Sequence, residues 1–144
     1  TVKPIGQPAK NKLCGLRIGR KGMDFIYTKD CIRVPIWPED GLFFQTATSP
    51  DWAILEKHPD TGAFFNGKSV PNFLDAVSLC ESLHDQNPHF QLIGWDATID
   101  RDGTVKLMEW NLNEPGIVFS EAATGPHFIG LGWENLWKTK NPRG

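Results

Sequence analysis

The sequence predicts an α+β fold: an antiparallel β-sheet with one long helix packed on it. Three observations predict it. Short apolar runs with β-branched or aromatic content occupy Cys14 to about Thr46, and two more flank Asp102-Gly103. Runs of that length and make-up are strands. Residues 71–86 carry apolar side chains at helical spacing. Finally, Asp40-Gly41 and Asp102-Gly103 each sit between two such runs, and Asp-Gly is a hairpin signal that makes neighbouring strands antiparallel.

Residues 1–12 are rich in Pro, Gly and Lys without periodicity, which reads as a tail or linker within 1–13. The runs CGLRIG, MDFIY, CIRVPIW and GLFFQTA follow as candidate strands, with Pro35 and Pro38 placing the third at a sheet edge or its end. Residues 47–69 are punctuated by Pro50, Pro59, Gly62 and Gly67 and read as a loop-rich excursion. In the helix, Pro71 suits the first position. Phe73, Ala76, Val77, Cys80, Leu83 and His84 share a face, and Asn87-Pro88 ends it. Two strands follow, at about 91–99 and 104–111. The stretch after Gly116 has room for one short helix and a surface loop, and 138–144 reads as a tail. The folded unit spans 14–137.

The chain has 144 residues, 40% hydrophobic and 22% charged, which is ordinary globular composition. Folding at this length buries roughly 68% of the surface that the unfolded chain exposes, so a core forms without staples. Six Trp and nine Phe against one Tyr exceed the needs of a private core and suit rings that cover a pocket or a neighbouring lobe. The net charge of −2, with no long basic run, disfavours nucleic-acid binding. No apolar stretch approaches the ~18 residues of a membrane span. Cys14, Cys31 and Cys80 form neither a disulfide framework nor a zinc pattern; they suit a reducing, cytoplasmic setting.

The sharpest feature is the segment FQLIGWDATIDRDGTVKLMEWNLNEPG. With Asp102-Gly103 as the two central residues of a type I′ turn, Arg101 pairs with Thr104 and Asp96 falls opposite Glu109. Opposed Cβ atoms lie about 4.5–5.5 Å apart. Alternation then puts Leu92, Gly94, Asp96 and Thr98 on one face with Val105, Leu107, Glu109 and Asn111. The other face carries Ile93, Trp95, Ala97 and Ile99 against Lys106, Met108 and Trp110. Directly opposed like charges cost stability. A divalent cation offsets that cost, and two carboxylates with an amide carbonyl are hard oxygen ligands of the kind Mg²⁺ takes alongside water and substrate phosphates. The argument depends on register: a three-residue loop would shift the pairing by one and separate the acids.

At these residues the sequence resembles the ATP-grasp superfamily, whose C-terminal lobe has an Asp on one strand and Glu-x-Asn on its partner. Here these are Asp96 and Glu109-Trp110-Asn111, followed by Asn113 and Pro115-Gly116. More narrowly, IGWDATIDRDGTVKLMEWN is similar to the sugar-transfer associated ATP-grasp family, as are HPDTGAFFNGKSVPNF and the LRIG run at Leu16–Gly19. The resemblance covers roughly 14–131. It implies the C-terminal lobe of the ATP-grasp fold and ATP-dependent ligation of a carboxylate to an amine or thiol through an acyl phosphate. It assigns Asp96, Glu109 and Asn111 to Mg²⁺ (or Mn²⁺) and the ATP phosphates, and Arg17 to the transferred phosphate. The partners implied are a nucleotide, a small-molecule carboxylate and a nucleophile, with neither nucleic acid nor membrane. The stretch KGMDFIYTKDCIRV departs from the family in lacking an Asn and paired glycines. The nucleotide-binding N-terminal lobe is absent, and the chain opens on Thr1, so a fragment inactive by itself is expected.

Other readings stand beside this one. Thr98–Glu109 approaches a calcium EF-hand loop, with Asp100, Asp102, Gly103, Val105 and Glu109 at the third, fifth, sixth, eighth and twelfth positions, but Thr98 occupies the first. A non-catalytic binding module, either a degenerate ATP-grasp or a calcium-binding β domain, is therefore the alternative. A retaining glycosidase pair is a third reading, opposed by Glu-x-Asn and the scarcity of tyrosine. Lys57 and Lys68 are within the candidate set for phosphate. His58 is more simply a loop contact than an acid–base residue, and His84 and His89 are structural at a helix end.

Overall fold

The computed structural model describes residues 1–113 and 115–138, the side chain of Lys138 excepted. The fold is α+β with antiparallel sheets and two α-helices. Strands β1 (Gly15–Ile18), β2 (Ile32–Pro35), β3 (Ala47–Thr48) and β4 (Ile54–Leu55) form one sheet in that order. Helix α1 (Phe73–Asp85) follows. Strands β5 (Gly94–Ile99) and β6 (Val105–Asn111) form a second, two-stranded sheet, ahead of helix α2 (Ile117–Thr124) and a 3₁₀ turn at Trp133–Lys138. The strands thus divide into two sheets, where the sequence suggested one. No helix among the described residues is long and apolar enough to cross a membrane.

Alternation along β1 and β2 gives the first sheet two different faces. Leu16 pairs with Val34 and Ile18 with Ile32. These side chains pack with Ala47, Phe65, Phe43 and Leu55 into the hydrophobic core. The residues between them, Arg17 and Arg33, also pair with each other and occupy the opposite face. The run MDFIY, expected as a strand, is instead part of the loop joining β1 to β2. The ladder closes at Ile18–Ile32, Gly22 sits at φ +84°, and Phe25, Ile26 and Tyr27 are exposed with nothing to pair against. Conversely, β3 and β4 are a short hairpin inside the stretch read as loop.

The Asp40-Gly41 turn is a four-residue loop closed by Trp37 N–H donating to Leu42 O (2.9 Å). Gly41 lies at φ +77°, and a Cβ there would come within 2.6 Å of the Phe73 ring, so the loop seats directly on the start of α1. That helix begins two residues later than Pro71 suggests. Asn72 takes the left-handed conformation at φ 48°, and its side-chain amide donates to Gly103 O (2.7 Å). The start of α1 is thereby tied to the tip of the β5–β6 hairpin.

Residues 1–12, read from sequence as a tail or linker, are packed. Val2 is fully buried and bridges both Lys10 and Leu92. One face of α1 clasps this segment through acceptors spaced along the last turns: Glu81 Oε1 accepts Asn11 N–H (2.6 Å) and Asp85 Oδ1 accepts Ala9 N–H (2.8 Å). Lys3 Nζ adds an ion pair to Asp85 at 3.2 Å. The Pro- and Gly-rich composition signals irregular backbone, and irregular backbone here is held by side-chain acceptors in place of a ladder. Residues 139–144, most of the expected 138–144 tail, lie outside the described residues.

His84, between these two acids on α1, is fully buried. Trp95 Nε1–H donates to Thr1 Oγ1 (2.8 Å), Thr1 Oγ1 lies 2.7 Å from His84 Nδ1, and His84 Nε2 lies 3.1 Å from Phe90 O. The chain is satisfied by a neutral ring that accepts at Nδ1 and donates at Nε2. Burial holds this imidazole below its usual range. The folded state therefore binds fewer protons than the unfolded one between the two values, and stability present above about pH 6.5 declines as pH falls below it. Urea unfolding at pH 7.5 and 5.5 should show a lower midpoint at the acid pH, and a smaller drop in His84→Gln. An equal drop in the variant would assign the pH dependence elsewhere.

Candidate metal and phosphate site

The β5–β6 hairpin opposes Asp96 to Glu109, but not by the expected route. Near the tip, Ile99 pairs with Val105, Thr98 with Lys106 and Ala97 with Leu107. The loop is therefore three residues, Arg101 to Gly103, with Gly103 at φ +83° and its N–H donating to Asp100 O (3.0 Å). That pairing, continued, would put Asp96 opposite Met108. Instead the register shifts between Asp96 and Ala97. Met108 is an extra residue on β6, a β-bulge, and beyond it Asp96 meets Glu109, Trp95 meets Trp110 and Gly94 meets Asn111. The three-residue loop and the bulge offset one another.

The consequence lies nearer the tip. Lys106 was expected behind the hairpin and Val105 and Leu107 in front. Lys106 pairs with Thr98 and so shares the face of Asp96, whereas Val105 and Leu107 go with Ile99 and Ala97. Lys106 Nζ reaches Asp100 Oδ2 at 2.7 Å. Asp100 Oδ1 also accepts the N–H groups of Asp102 and Thr104. The Lys106 ammonium first, then these N–H groups, hold the Asp100 carboxyl below the usual range. This acid is committed to shaping the turn. Residues 98–109 run strand–turn–strand, so the EF-hand-like spacing lacks the two helices that such a loop joins.

Asp96, Glu109 and Asn111 converge. The Asn111 amide nitrogen stands 3.5 Å from both Asp96 Oδ2 and Glu109 Oε1, near the limit of a hydrogen bond. Asp96 and Asn111 are half-buried and Glu109 is exposed. No group of three or more His, Cys, Asp or Glu side chains among the described residues could hold a metal. This donor set has two carboxylates plus an amide that also offers an oxygen. It matches the one or two carboxylates that Mg²⁺ takes when water and phosphates complete its shell. The residues therefore fit the ion.

Arg17 comes to the same place from the other sheet, its guanidinium 3.8 Å from Asp96 Oδ1. A cavity of about 610 Å³ opens between the arginine-bearing face of β1–β2, the N-terminal part of α1, β5 and the start of α2. Leu16, Arg17, Arg33, Phe73, Asp96 and Phe119 are among its lining residues. Gly94 lets the chain after β6 close over this end: a Cβ there would lie 3.0 Å from Pro115 Cα and O.

The other candidates sit elsewhere. Lys57 bridges Phe64, and Lys68 borders a second cleft with Arg20, Lys21 and Asp60; neither is among the residues lining the cavity beside Asp96. His58 is buried, its Nε2 3.0 Å from Gly19 O and its Nδ1 accepting Asp60 N–H (3.3 Å), so both ring nitrogens are used locally. Asp60 binds Arg20 through two side-chain bonds of 2.7 and 2.6 Å, which hold its carboxyl well below the usual range. Burial pushes the Cys80 thiol up to about 11 and raises that of Cys14, leaving both poorly suited as nucleophiles.

A family model described as sugar-transfer associated ATP-grasp matches residues 12–131, a span that contains Arg17 and the whole β5–β6 hairpin. The chain belongs to the sugar-transfer associated ATP-grasp family. Its α+β architecture is consistent with an ATP-grasp-type fold, and membership supports ATP binding and an ATP-dependent, ligase-like function. Searches of curated proteins and of solved structures find no match.

Opposing two acids has a measurable cost in the metal-free protein. Glu109→Gln removes one of the two like charges with little change in shape. In EDTA its stability should exceed wild type by about 0.2–1 kcal/mol, read as a higher urea midpoint. A lower midpoint would mean that Glu109 is held by an attraction, and that Asp96 does not repel it.

Proposed function

We propose that this chain carries the metal- and phosphate-holding part of an ATP-dependent carboxylate ligase. It would work with a nucleotide-binding lobe of the ATP-grasp kind and be inactive without it. The observation that carries the reading is the convergence of Asp96, Glu109 and Asn111, with Arg17 entering from a different sheet. Family membership supports the ATP half of the statement. Exposed Trp37, Trp52, Phe64 and Trp110 supply apolar surface for a neighbouring lobe.

In such a ligase an oxygen of the acid attacks the γ-phosphorus of ATP, the bond to the β–γ bridging oxygen breaks, and ADP leaves. An amine or thiol then adds to the acyl carbon, loses a proton and expels phosphate. Asp96 and Glu109 would hold the metal through their carboxylates and Asn111 through a neutral amide oxygen, and Mg²⁺ held there would neutralise phosphate charge as it develops. Arg17 offers a planar, always-charged fork to the transferred phosphoryl oxygens. Its contact with Asp96 is long, so little is lost when it turns to a substrate.

Mn²⁺ is a convenient stand-in for Mg²⁺. The protein should take up Mn²⁺ in an electron paramagnetic resonance titration, and Asp96→Ala or Glu109→Ala should weaken uptake at least tenfold with unchanged circular dichroism. In the complete ligase the same substitutions should abolish ATP turnover. Turnover that survives either substitution would sink the metal assignment.

A further inference from the structure

The apolar face of α1 is not spent on the hydrophobic core. That core is Ile32, Val34, Ala47 and Phe65, with Leu16, Ile18, Phe43 and Leu55 packed against them, and among the described residues none of α1 belongs to it. Phe73, Ala76, Val77 and Cys80 instead line the cavity that reaches Asp96. At about 610 Å³ this cavity has the size of a small-molecule site. Its charged lining residues, among those described, are Arg17, Arg33 and Asp96. These lie together, since Arg17 pairs with Arg33 and stands 3.8 Å from Asp96. The end under α1 is different. The β1–β2 ladder runs on past Gly15–Pro35 to Ile36 N–H donating to Cys14 O (3.4 Å), which puts Cys14 three extended residues, about 10 Å, from Arg17. Leu13, Cys14 and Leu92 line the cavity with the α1 face. The polar side chains there are already engaged. Thr1 Oγ1 accepts Trp95 Nε1–H (2.8 Å) and lies 2.7 Å from His84 Nδ1, and the Asn11 amide meets Cys14 Sγ (3.0 Å) and Pro38 O (3.4 Å).

We propose that the acid activated by this ligase carries a hydrocarbon tail, which lies along the apolar face of α1 while its carboxylate stands at the Asp96 end of the cavity. The proposal rests on the ligase reading and names the class of its acid. In that reading the carboxylate must meet a phosphate held near Asp96. The remainder of the molecule then extends into solvent or into the rest of the cavity. Covering hydrocarbon is favourable in proportion to the area removed from water, and Phe73, Ala76 and Val77 present a hydrocarbon wall. A polyhydroxylated acid fares worse there. Each of its hydroxyls would leave water for side chains whose hydrogen bonds are already made, and an unsatisfied buried hydroxyl is costly. The cavity therefore selects a fatty-acid-like substrate over a sugar acid. Val77, midway along the α1 face, is a specificity-determining residue that limits how long a tail can enter.

Calorimetric titration of the protein with hexanoate, octanoate and decanoate, below the concentrations at which they aggregate, tests the tail. Gluconate and octylamine serve as comparison ligands. EDTA is present throughout, so a failure of the metal site does not enter the result. Each added CH₂ should tighten binding at least twofold, approaching the roughly fourfold of complete burial. Gluconate should bind at least tenfold more weakly than hexanoate, and octylamine more weakly than octanoate. Val77→Trp fills the cavity beside α1 and should weaken decanoate at least fivefold while changing hexanoate less than twofold. If that variant does not fold, Ala76→Leu makes the same test with a smaller side chain and should weaken decanoate at least twofold. Binding of none of the acids, affinity indifferent to chain length, gluconate equal to hexanoate, octylamine equal to octanoate, or an equal loss for every acid in Val77→Trp would overturn the proposal. Manganese uptake by the wild-type protein, measured apart, would leave the ligase reading standing in that event.

Discussion

In a two-stranded antiparallel ribbon, adjacent side chains point to opposite faces, and one extra residue on one strand changes which residues face each other beyond it. The β5–β6 hairpin contains two such departures. Its loop is one residue longer than the shortest hairpin loop, and its second strand carries the bulge at Met108. The bulge restores the opposition of Asp96 and Glu109 and leaves Asn111 one step further along the same face. Remove the constraint that these acids must meet, and neither irregularity has an evident purpose. The rest of the site is arranged around it: Gly94 lets Pro115 close over the strand end, and Asn72 fixes the tip to α1.

The first sheet answers this hairpin with charge of the opposite sign. One face of β1–β2 is spent on the hydrophobic core; the other presents Arg17 and Arg33 toward the cavity. Paired arginines from one sheet therefore face a cavity that Asp96, one of the two opposed acids, reaches from the other sheet. Each like-charged pair costs stability alone, and under the proposed reading a metal ion and an anionic phosphate would offset that cost. Such stored cost is what a site for phosphoryl chemistry is expected to carry, because its charges are aimed before the substrate arrives.

Much of this was legible in the sequence, for identifiable reasons. Helix α1 has an unambiguous apolar period, and Asp102-Gly103 is a strong turn signal. Apolar alternation around Asp96 and Glu109 marked the hairpin. The opposition of the acids was read correctly from a two-residue turn that does not exist. Local pattern gives the turn type poorly, and the bulge has no signature, since Met108 reads as an ordinary strand residue. For the same reason Lys106 was assigned to the wrong face. The packing of residues 1–12 is not legible locally because it depends on acceptors, Glu81 and Asp85, seventy or more residues away. MDFIY reads as a strand because apolar composition does not say whether a partner strand exists. Arg33, between Ile32 and Val34, lies on the same kind of face as Arg17 between Leu16 and Ile18, a placement that alternation alone makes legible.

The claim that Asp96, Glu109 and Asn111 form one cation site can be observed directly. In a ¹H–¹⁵N correlation spectrum of the protein, Mn²⁺ added in small substoichiometric steps broadens amides by their distance from the ion. The strands rise about 3.3 Å per residue, so the site and the Asp100–Asp102 turn are far enough apart to be told from each other. The account predicts the earliest and strongest broadening at 94–96 and 109–111, extending across to Arg17. Broadening centred on 100–104, or spread evenly over the exposed acids, would contradict it.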